Sequence, residues 1–357
     1  MRQKITAIII SIFLLFSLTG CEENKQEGKS TAAQGNCVVH FINIGQGDAT
    51  LIQIDDSYSL IDTGTVAHYD DLSTYLDAQN VNHIENMIVT HPDADHMGGA
   101  YKVIQDYDVS NFYTTNTTNE SQAYQKMIRS LKQEKLKKQV VASGDRIDFG
   151  KGSQGKVFGP IGESEDNNES SLVIRLDYGE NSFLFTGDTT ARMENKINEK
   201  YDIDVDVLKA SHHGSDTANG VMFIRDASPM YSIISVGANN NYGHPDSNVL
   251  RRLEKYSTED VLRTDEDGSI VISSDGKELS VQSSDDIQLE RKDRTSLKKS
   301  VKKSETSKAD EIIGNKNTKI YHKESESRLP DEKNREYFSS VEKAKQAGYR
   351  ACEKCYQ

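Results

Sequence analysis

From residue 37 onward, short apolar runs alternate with turn residues. Residues 37–44, 49–54 and 58–61 predict three strands of a meander. Apolar positions at helical spacing predict helices over 69–80, 98–107, 121–137 and 249–255, and 85–90 reads as a buried strand running into a polar loop. Residues 171–178 and 182–186 predict a hairpin turned by Gly179-Glu180-Asn181-Ser182, and 204–210 and 230–236 are further strands. Hairpins mixed with helices, in two similar halves, predict an α/β chain of two sheets sandwiched between helices. The pattern stops near Asp285. Residues 285–311 are rich in Lys, Ser and Thr and predict a solvated linker, and 312–357 predict a second, small unit.

Upstream of the meander, Arg2 and Lys4 precede an apolar stretch over 5–18, the pattern of a secretory signal and too short for a comfortable membrane span. The sequence Leu18-Thr19-Gly20-Cys21 that follows resembles the lipobox of bacterial lipoproteins. The resemblance implies a signal peptide over 1–20, a lipid on Cys21, a polar tether over 21–36, and a place on the extracellular face of the bacterial cell membrane. The chain has 357 residues, a length that fits about two domains, and no other apolar run of about 18 residues. Four cysteines exclude a disulfide-rich scaffold. A net charge of -13 argues against a surface that binds nucleic acid all over, though not against a local phosphate site.

The densest chemistry lies in His91-Pro92-Asp93-Ala94-Asp95-His96, where His91, Asp93, Asp95 and His96 fall within six residues at the end of a strand. A loop can converge such side chains, whereas a strand sends them to alternate faces. Imidazole with carboxylate suits zinc, manganese or iron. Gly45 and Gly47 allow a tight turn that brings Asp48 toward the same place, and Asp62 closes a strand as a carboxylate able to orient ligands.

These residues, in order with Phe41-Ile42-Asn43-Ile44-Gly45-Gln46-Gly47-Asp48, Ile61-Asp62-Thr63-Gly64, Phe185-Thr186-Gly187-Asp188, Ser211-His212-His213-Gly214-Ser215 and Tyr242-Gly243-His244-Pro245, resemble the metallo-β-lactamase superfamily, in its ComEC-like branch of competence DNA-uptake proteins. The resemblance covers about residues 37–284. It implies a four-layer αββα sandwich and two divalent metals, zinc or manganese, held by His91, Asp93, Asp95, His96, Asp188 and His213, with Asp188 bridging. Catalysis is expected to depend on Asp95, His212 and His244, with attack by a metal-bound hydroxide and His212 or His244 protonating the leaving group. Adjacency argues that His212 and His213 cannot both point at one metal. His213 is assigned as ligand and His212 as the substrate-facing acid, with the reverse left open. Two departures stand out: Asp93 replaces the usual second histidine, and no histidine lies between His96 and His212. Asn168 either fills that third-motif place or holds a water there.

Residues 312–357 resemble the zinc-binding domain of the Ada DNA-repair protein, with His322, Glu326, Cys352 and Cys355 at the ligand positions. One structural zinc is implied, Glu326 being the atypical member, or else Cys352 and Cys355 pair oxidatively. The leading expectation is a surface-anchored phosphodiesterase acting on DNA. The alternatives are a hydrolase of cell-wall phosphodiesters of the teichoic-acid phosphocholine type or of small-molecule esters, and a non-catalytic lipoprotein that binds DNA or a partner. The sequence names no protein partner.

Overall fold

A computed structural model describes residues 37–283, 312–323, 330, 332–338 and 341–352. The signal and tether over 1–36 with Cys21, the linker, Glu326 and Cys355 lie outside the described residues. The chain divides into two compact units, with the break between residues 292 and 293.

The first unit carries fifteen described strands. They are β1 Cys37–Phe41, β2 Thr50–Ile54, β3 Ser57–Ile61, β4 His83–Val89, β5 Asp108–Thr114, β6 Lys138–Val140, β7 Arg146–Ile147 and β8 Ser153–Gly159. After them come β9 Val173–Tyr178, β10 Asn181–Phe185, β11 Val207–Lys209, β12 Tyr231–Ile234, β13 Asp260–Arg263, β14 Ile270–Ser274 and β15 Leu279–Ser283. One sheet has the order β15-β14-β1-β2-β3-β4-β5-β6, the other β13-β12-β11-β10-β9-β8-β7. Each is antiparallel in one half and parallel in the other, the parallel parts being β3 to β6 and β10 to β13.

The layers follow from period-2 patterning. Cys37, Val39 and Phe41 of β1, Ile52 and Ile54 of β2, and Phe183 and Phe185 of β10 meet between the sheets. Leu51 and Leu60 point the other way, packing under α1 (Tyr69–Ala78), while Leu184 and Leu208 pack under a second set of helices. Strands buried on both faces read as unbroken apolar runs, which is why the sandwich was visible in the sequence. Helix α1, the single turn α2 (Ala94–Met97), α3 (Ala100–Asp106) and α4 (Gln122–Gln133) belong to the first sheet; α5 (Ala191–Lys200), α6 (Val221–Ala227) and α7 (Ser247–Tyr256) cover the second. The result is the four-layer αββα sandwich.

Two details differ from the sequence expectation. The β9–β10 register sets Asn181 opposite Tyr178, so the turn is Gly179-Glu180 alone. Asn181 is strand because its amide accepts from Ser274 Oγ at 2.6 Å and donates to the Lys277 carbonyl at 3.1 Å. The segment after His91 is not all loop either, since α2 begins at Ala94 within the ligand cluster.

The second unit is a four-stranded sheet in the order β18-β16-β17-β19, formed by β16 Ile312–Asn315, β17 Ile320–Lys323, β18 Arg335–Phe338 and β19 Arg350–Ala351. Ile312, Tyr321, Ala344 and Tyr349 form its core.

Candidate metal centre

The carboxyl ends of β3, β4, β10, β11 and β12 all feed one place, the position where α/β sheets commonly build sites. Asp62 follows β3, Thr90 and His91 follow β4, Asp188 follows β10, and His212 and His213 follow β11. Asp48 arrives from the β1–β2 connection, whose Gly47 has φ +146°; a side chain there would meet the Asp95 carbonyl at 2.6 Å. Asp48 and Asp95 are tied directly, the Asp48 amide donating to the Asp95 carbonyl at 3.0 Å.

Each buried imidazole has one nitrogen committed to the protein and one facing the common space. His96 Nδ1 donates to Asp62 Oδ2 at 2.8 Å, while Asp62 also accepts from the Thr90 amide at 2.8 Å and the Thr90 hydroxyl at 2.7 Å. His213 Nδ1 donates to the Ser235 carbonyl at 2.8 Å. His91 Nδ1 lies 3.1 Å from Thr90 Oγ1 and 3.2 Å from Ser171 Oγ. That leaves Nε2 of His91, His96 and His213, together with Asp188 Oδ1, buried and without a hydrogen-bond partner. Buried polar atoms are rarely left so, and a cluster of them calls for an ion. Ligand atoms of Asp95, His96, Asp188 and His213 lie within 4.8 Å of one another. His96 Nε2 is 3.1 Å from Asp188 Oδ1, and His213 Nε2 is 3.4 Å from Asp95 Oδ2 and 3.5 Å from Asp188 Oδ2. Asp93 stands at the rim, its Oδ2 3.6 Å from His91 Nε2. These residues fit divalent metals: the imidazoles are oriented through their far nitrogens, and the carboxylates supply oxygen donors.

The electrostatics agree with so dense a donor set. Burial alone would lower His96, but the Asp188 and Asp62 carboxylates push it well above the ordinary histidine value. Burial is likewise outweighed at His213, which Asp188 and Asp48 raise. Asp188 is held well below the usual carboxylate range by His96 and His213 despite burial, and Asp95 falls for the same kind of reason, through His213 and His96. Hydrogen bonding from His91 heads the causes that lower Asp93.

His212 and His213 occupy consecutive left-handed conformations, with φ of 50° and 53°. Non-glycine residues there store strain of about 1 kcal/mol or more each. The turn brings both imidazoles to the same oxygen, His212 Nε2 lying 3.6 Å and His213 Nε2 3.5 Å from Asp188 Oδ2. Adjacency therefore does not keep them apart, because the left-handed backbone removes the alternation expected of an extended chain. Exposure distinguishes them: the His213 side chain is buried, whereas that of His212 is 23% exposed. Burial lowers the His212 pKa, and also that of His244, whose ring centroid lies 5.8 Å from that of His212.

In the third-motif region the hydrogen bonds to the site come from the neighbours of Asn168. Among the described residues, no side-chain hydrogen bond links Asn168 to the site. Asn167 Nδ2 donates to Asp93 Oδ1 at 2.7 Å instead, and Ser171 Oγ accepts from the Asp188 amide at 3.1 Å as well as meeting His91. Asn167 is the N-cap of the 3-10 turn Asn168–Ser170.

Sequence reasoning also missed the residues that support this site. Lys209 is buried at the end of β11, where its ammonium pairs with Asp48 Oδ2 and donates to the Ala210 carbonyl at 3.2 Å. Its signal was a lysine at the i+2 position from Val207, on the strand face that is otherwise apolar. Glu194 of α5 is fully buried and accepts from Ser211 Oγ (2.8 Å) and the amides of Asn219 (2.8 Å) and Gly220 (2.9 Å). Burial pushes its carboxyl up even so. Asn219 closes the clamp by accepting from the Ser211 amide and donating to the Ser211 and Ser215 carbonyls.

In the second unit, β17 and β19 run parallel with Tyr321 opposite Ala351, and the Cys352 amide donates to the Tyr321 carbonyl at 2.9 Å. His322 and Cys352 are therefore the next residues along neighbouring strands.

The model of the metallo-β-lactamase superfamily matches residues 42–237, and that of the metal binding domain of Ada matches residues 297–357. The chain is 31% identical over 252 residues to ComE operon protein 3 of Bacillus subtilis, covering 65% of this chain and 32% of the relative. It is 29% identical over 227 residues to Recombination protein 2 of Haemophilus influenzae, covering 62% and 27%. The chain thus spans about a third of the length of the curated relatives it matches. Among solved structures, the metallo-β-lactamase fold protein YhfI from Bacillus subtilis shares 12% identity at a TM-score of 0.45, covering 65% of this chain and 98% of that one. Divalent-metal binding is what both matched families indicate. With its two mixed sheets, its donor cluster at the strand ends and a match over most of the first unit, the chain belongs to the metallo-β-lactamase superfamily and carries an Ada-type metal-binding domain behind it.

Proposed function

We propose that this metallohydrolase is a phosphodiesterase acting on DNA, anchored on the extracellular face of the bacterial cell membrane through a lipid on Cys21. The observation that carries the reaction class is the convergence of unsatisfied Nε2 atoms of His91, His96 and His213 with Asp188 Oδ1, beside the more open His212 and His244. Asp93, Asp95, His91, His96, Asp188 and His213 are the residues that would hold two divalent metals. Bound there, such metals supply Lewis-acid activation of water and neutralisation of phosphate charge. Asp62 and the Ser235 carbonyl orient His96 and His213 so that neither ring can rotate away. His212 is held through Nδ1, 3.1 Å from Thr217 Oγ1, and its partly exposed ring sets Nε2 3.6 Å from Asp188 Oδ2, placed to move a proton to a leaving oxygen beside the donors. DNA as substrate is supported by the names of the relatives, ComE operon protein 3 and Competence protein ComA, which belong to competence systems.

The test uses the full-length chain in detergent with single- and double-stranded DNA, manganese or zinc, and an Asp95→Ala variant. Metal-dependent cleavage by the wild type, reduced by about 100-fold or more in the variant, is expected. Intact DNA with metal demonstrably bound removes the nuclease reading, and unreduced cleavage by Asp95→Ala removes the site.

A further inference from the structure

We infer that Tyr242 is a stacking platform for an unpaired nucleobase next to the scissile phosphate, so that the site selects single-stranded nucleic acid. The inference deepens the phosphodiesterase reading and rests on it. Among the described residues, Tyr242 is 69% exposed, more than any other large apolar side chain that reaches solvent. The loop that carries the ring is braced. Asn240 spends its whole amide on the loop that carries it, donating to the carbonyls of Gly237 (3.0 Å) and His244 (2.7 Å) and accepting from the amides of Tyr242 and His244, both at 3.1 Å. The Gly237 amide in turn donates to Gln46 Oε1 at 3.1 Å, tying the loop to the turn that delivers Asp48.

From this fixed loop a ladder of rings descends to the donors. Tyr242 and His244 lie nearly parallel, 16° apart with centroids separated by 5.8 Å; His244 meets His212 edge-on at 5.8 Å; and His212 Nε2 is 3.6 Å from Asp188 Oδ2. A phosphodiester seated at the donors therefore has an aromatic face, carried on a braced loop, within reach of the nucleoside beside it. Every base has a π-face, so such a platform tolerates sequence but requires the base to be unpaired. A sugar-binding platform would set hydrogen-bonding amides against the ring to read hydroxyls, whereas the Asn240 amide is fully committed to backbone.

The experiment compares wild type, Tyr242→Ala and Tyr242→Phe as full-length, manganese-loaded chains in detergent. Substrates are a single-stranded oligonucleotide and the same oligomer with an abasic residue beside the cleaved bond. A phosphorothioate oligomer carrying 2-aminopurine reports stacking by its fluorescence. The wild type should prefer the intact strand by about 5- to 100-fold in KM and quench the 2-aminopurine; Phe should keep both effects and Ala lose them. Cleavage of DNA with equal KM ratios and equal quenching in wild type and Ala overturns the platform. So does hydrolysis confined to wall-polymer phosphodiesters and weakened by Ala, which assigns the ring to a sugar. Quenching that depends on Tyr242 without DNA cleavage upholds the platform and removes the nuclease reading. Absence of both cleavage and quenching removes both.

Discussion

Replacing Asn219 by alanine tests whether the left-handed turn that delivers His212 and His213 is held in place by the clamp behind it. Asn219 is 1% exposed and sits at φ 60°. Its Oδ1 accepts from the Ser211 amide at 3.0 Å, and its Nδ2 donates to the carbonyls of Ser211 (2.8 Å) and Ser215 (3.0 Å). Truncation leaves the buried amide and carbonyl of Ser211 without these partners, while the Ser215 carbonyl keeps the Ala218 amide at 3.3 Å. An orphaned buried group costs about 1–3 kcal/mol. A β-carbon held left-handed without the local hydrogen bonding that asparagine offers adds about 1 kcal/mol. For two such groups the sum is about 3–7 kcal/mol, a large share of the roughly 5–15 kcal/mol that keeps a domain folded. Urea denaturation of the first unit's transition measures it. Asn219→Gly removes the same bonds but is at ease at φ 60°, so it should recover about 1 kcal/mol of the loss. Hydrogen exchange at the amides of residues 211–215 should rise in both variants, together with weaker metal retention. An alanine variant within about 0.5 kcal/mol of wild type, with exchange at these amides unchanged, would refute the clamp.

Two further outcomes follow from groups outside the donor cluster. His40 in β1 is buried with its Nδ1 2.9 Å from the Tyr75 hydroxyl, and burial lowers its pKa from 6.5 to about 4. The folded state therefore resists a proton that the unfolded chain accepts. Its contribution is fully present above pH 6.5 and is lost as pH falls toward 4, by about 3 kcal/mol in all. His40→Gln should flatten that limb of the stability–pH curve, and parallel curves for variant and wild type would sink the assignment. For the anchor, Cys21→Ala should move the chain from the detergent to the aqueous phase in a partition assay, and equal partition would dismiss lipid attachment.

The parts of this molecule that sequence could disclose are those written locally. The ligand cluster His91 to His96 lies within one strand end and one helical turn, and the doubly buried strands show as apolar runs because each face has its own core. Strand β5, Asp108–Thr114, was missed because only Phe112 and Thr114 are buried along it, leaving a weak pattern. The support of the site was hidden for a different reason. The Ser235 carbonyl that orients His213 has no side-chain identity to read, and Lys209 meets Asp48 only because two sheets close on each other. Whether Asn167 or Asn168 reaches Asp93 depends on the phase of a three-residue turn, which composition does not encode.

That closure of the two sheets makes site assembly and folding one event. Asp48, Asp62, His91, Asp95 and His96 come from connections of the first sheet, while Asp188, His212, His213 and His244 come from those of the second and Lys209 from the end of its strand β11. The contacts that cross between the two sets are polar: Lys209 with Asp48 and His96 with Asp188 are buried pairs, and buried His213 meets the half-buried Asp95. A site divided this way is incomplete in either half alone, so any ion that binds it binds the closed sandwich and adds its binding free energy to folding. Four carboxylates, Asp48, Asp62, Asp95 and Asp188, crowd the same space against a single buried lysine, and like charges at this range oppose closure. Divalent cations relieve that opposition and at the same time neutralise the local charge, without which a polyanion would be repelled by a chain already carrying a net charge of -13. The acidic composition, which argues against binding nucleic acid all over the surface, is therefore compatible with a phosphodiester at this one site, provided that the metals bind first.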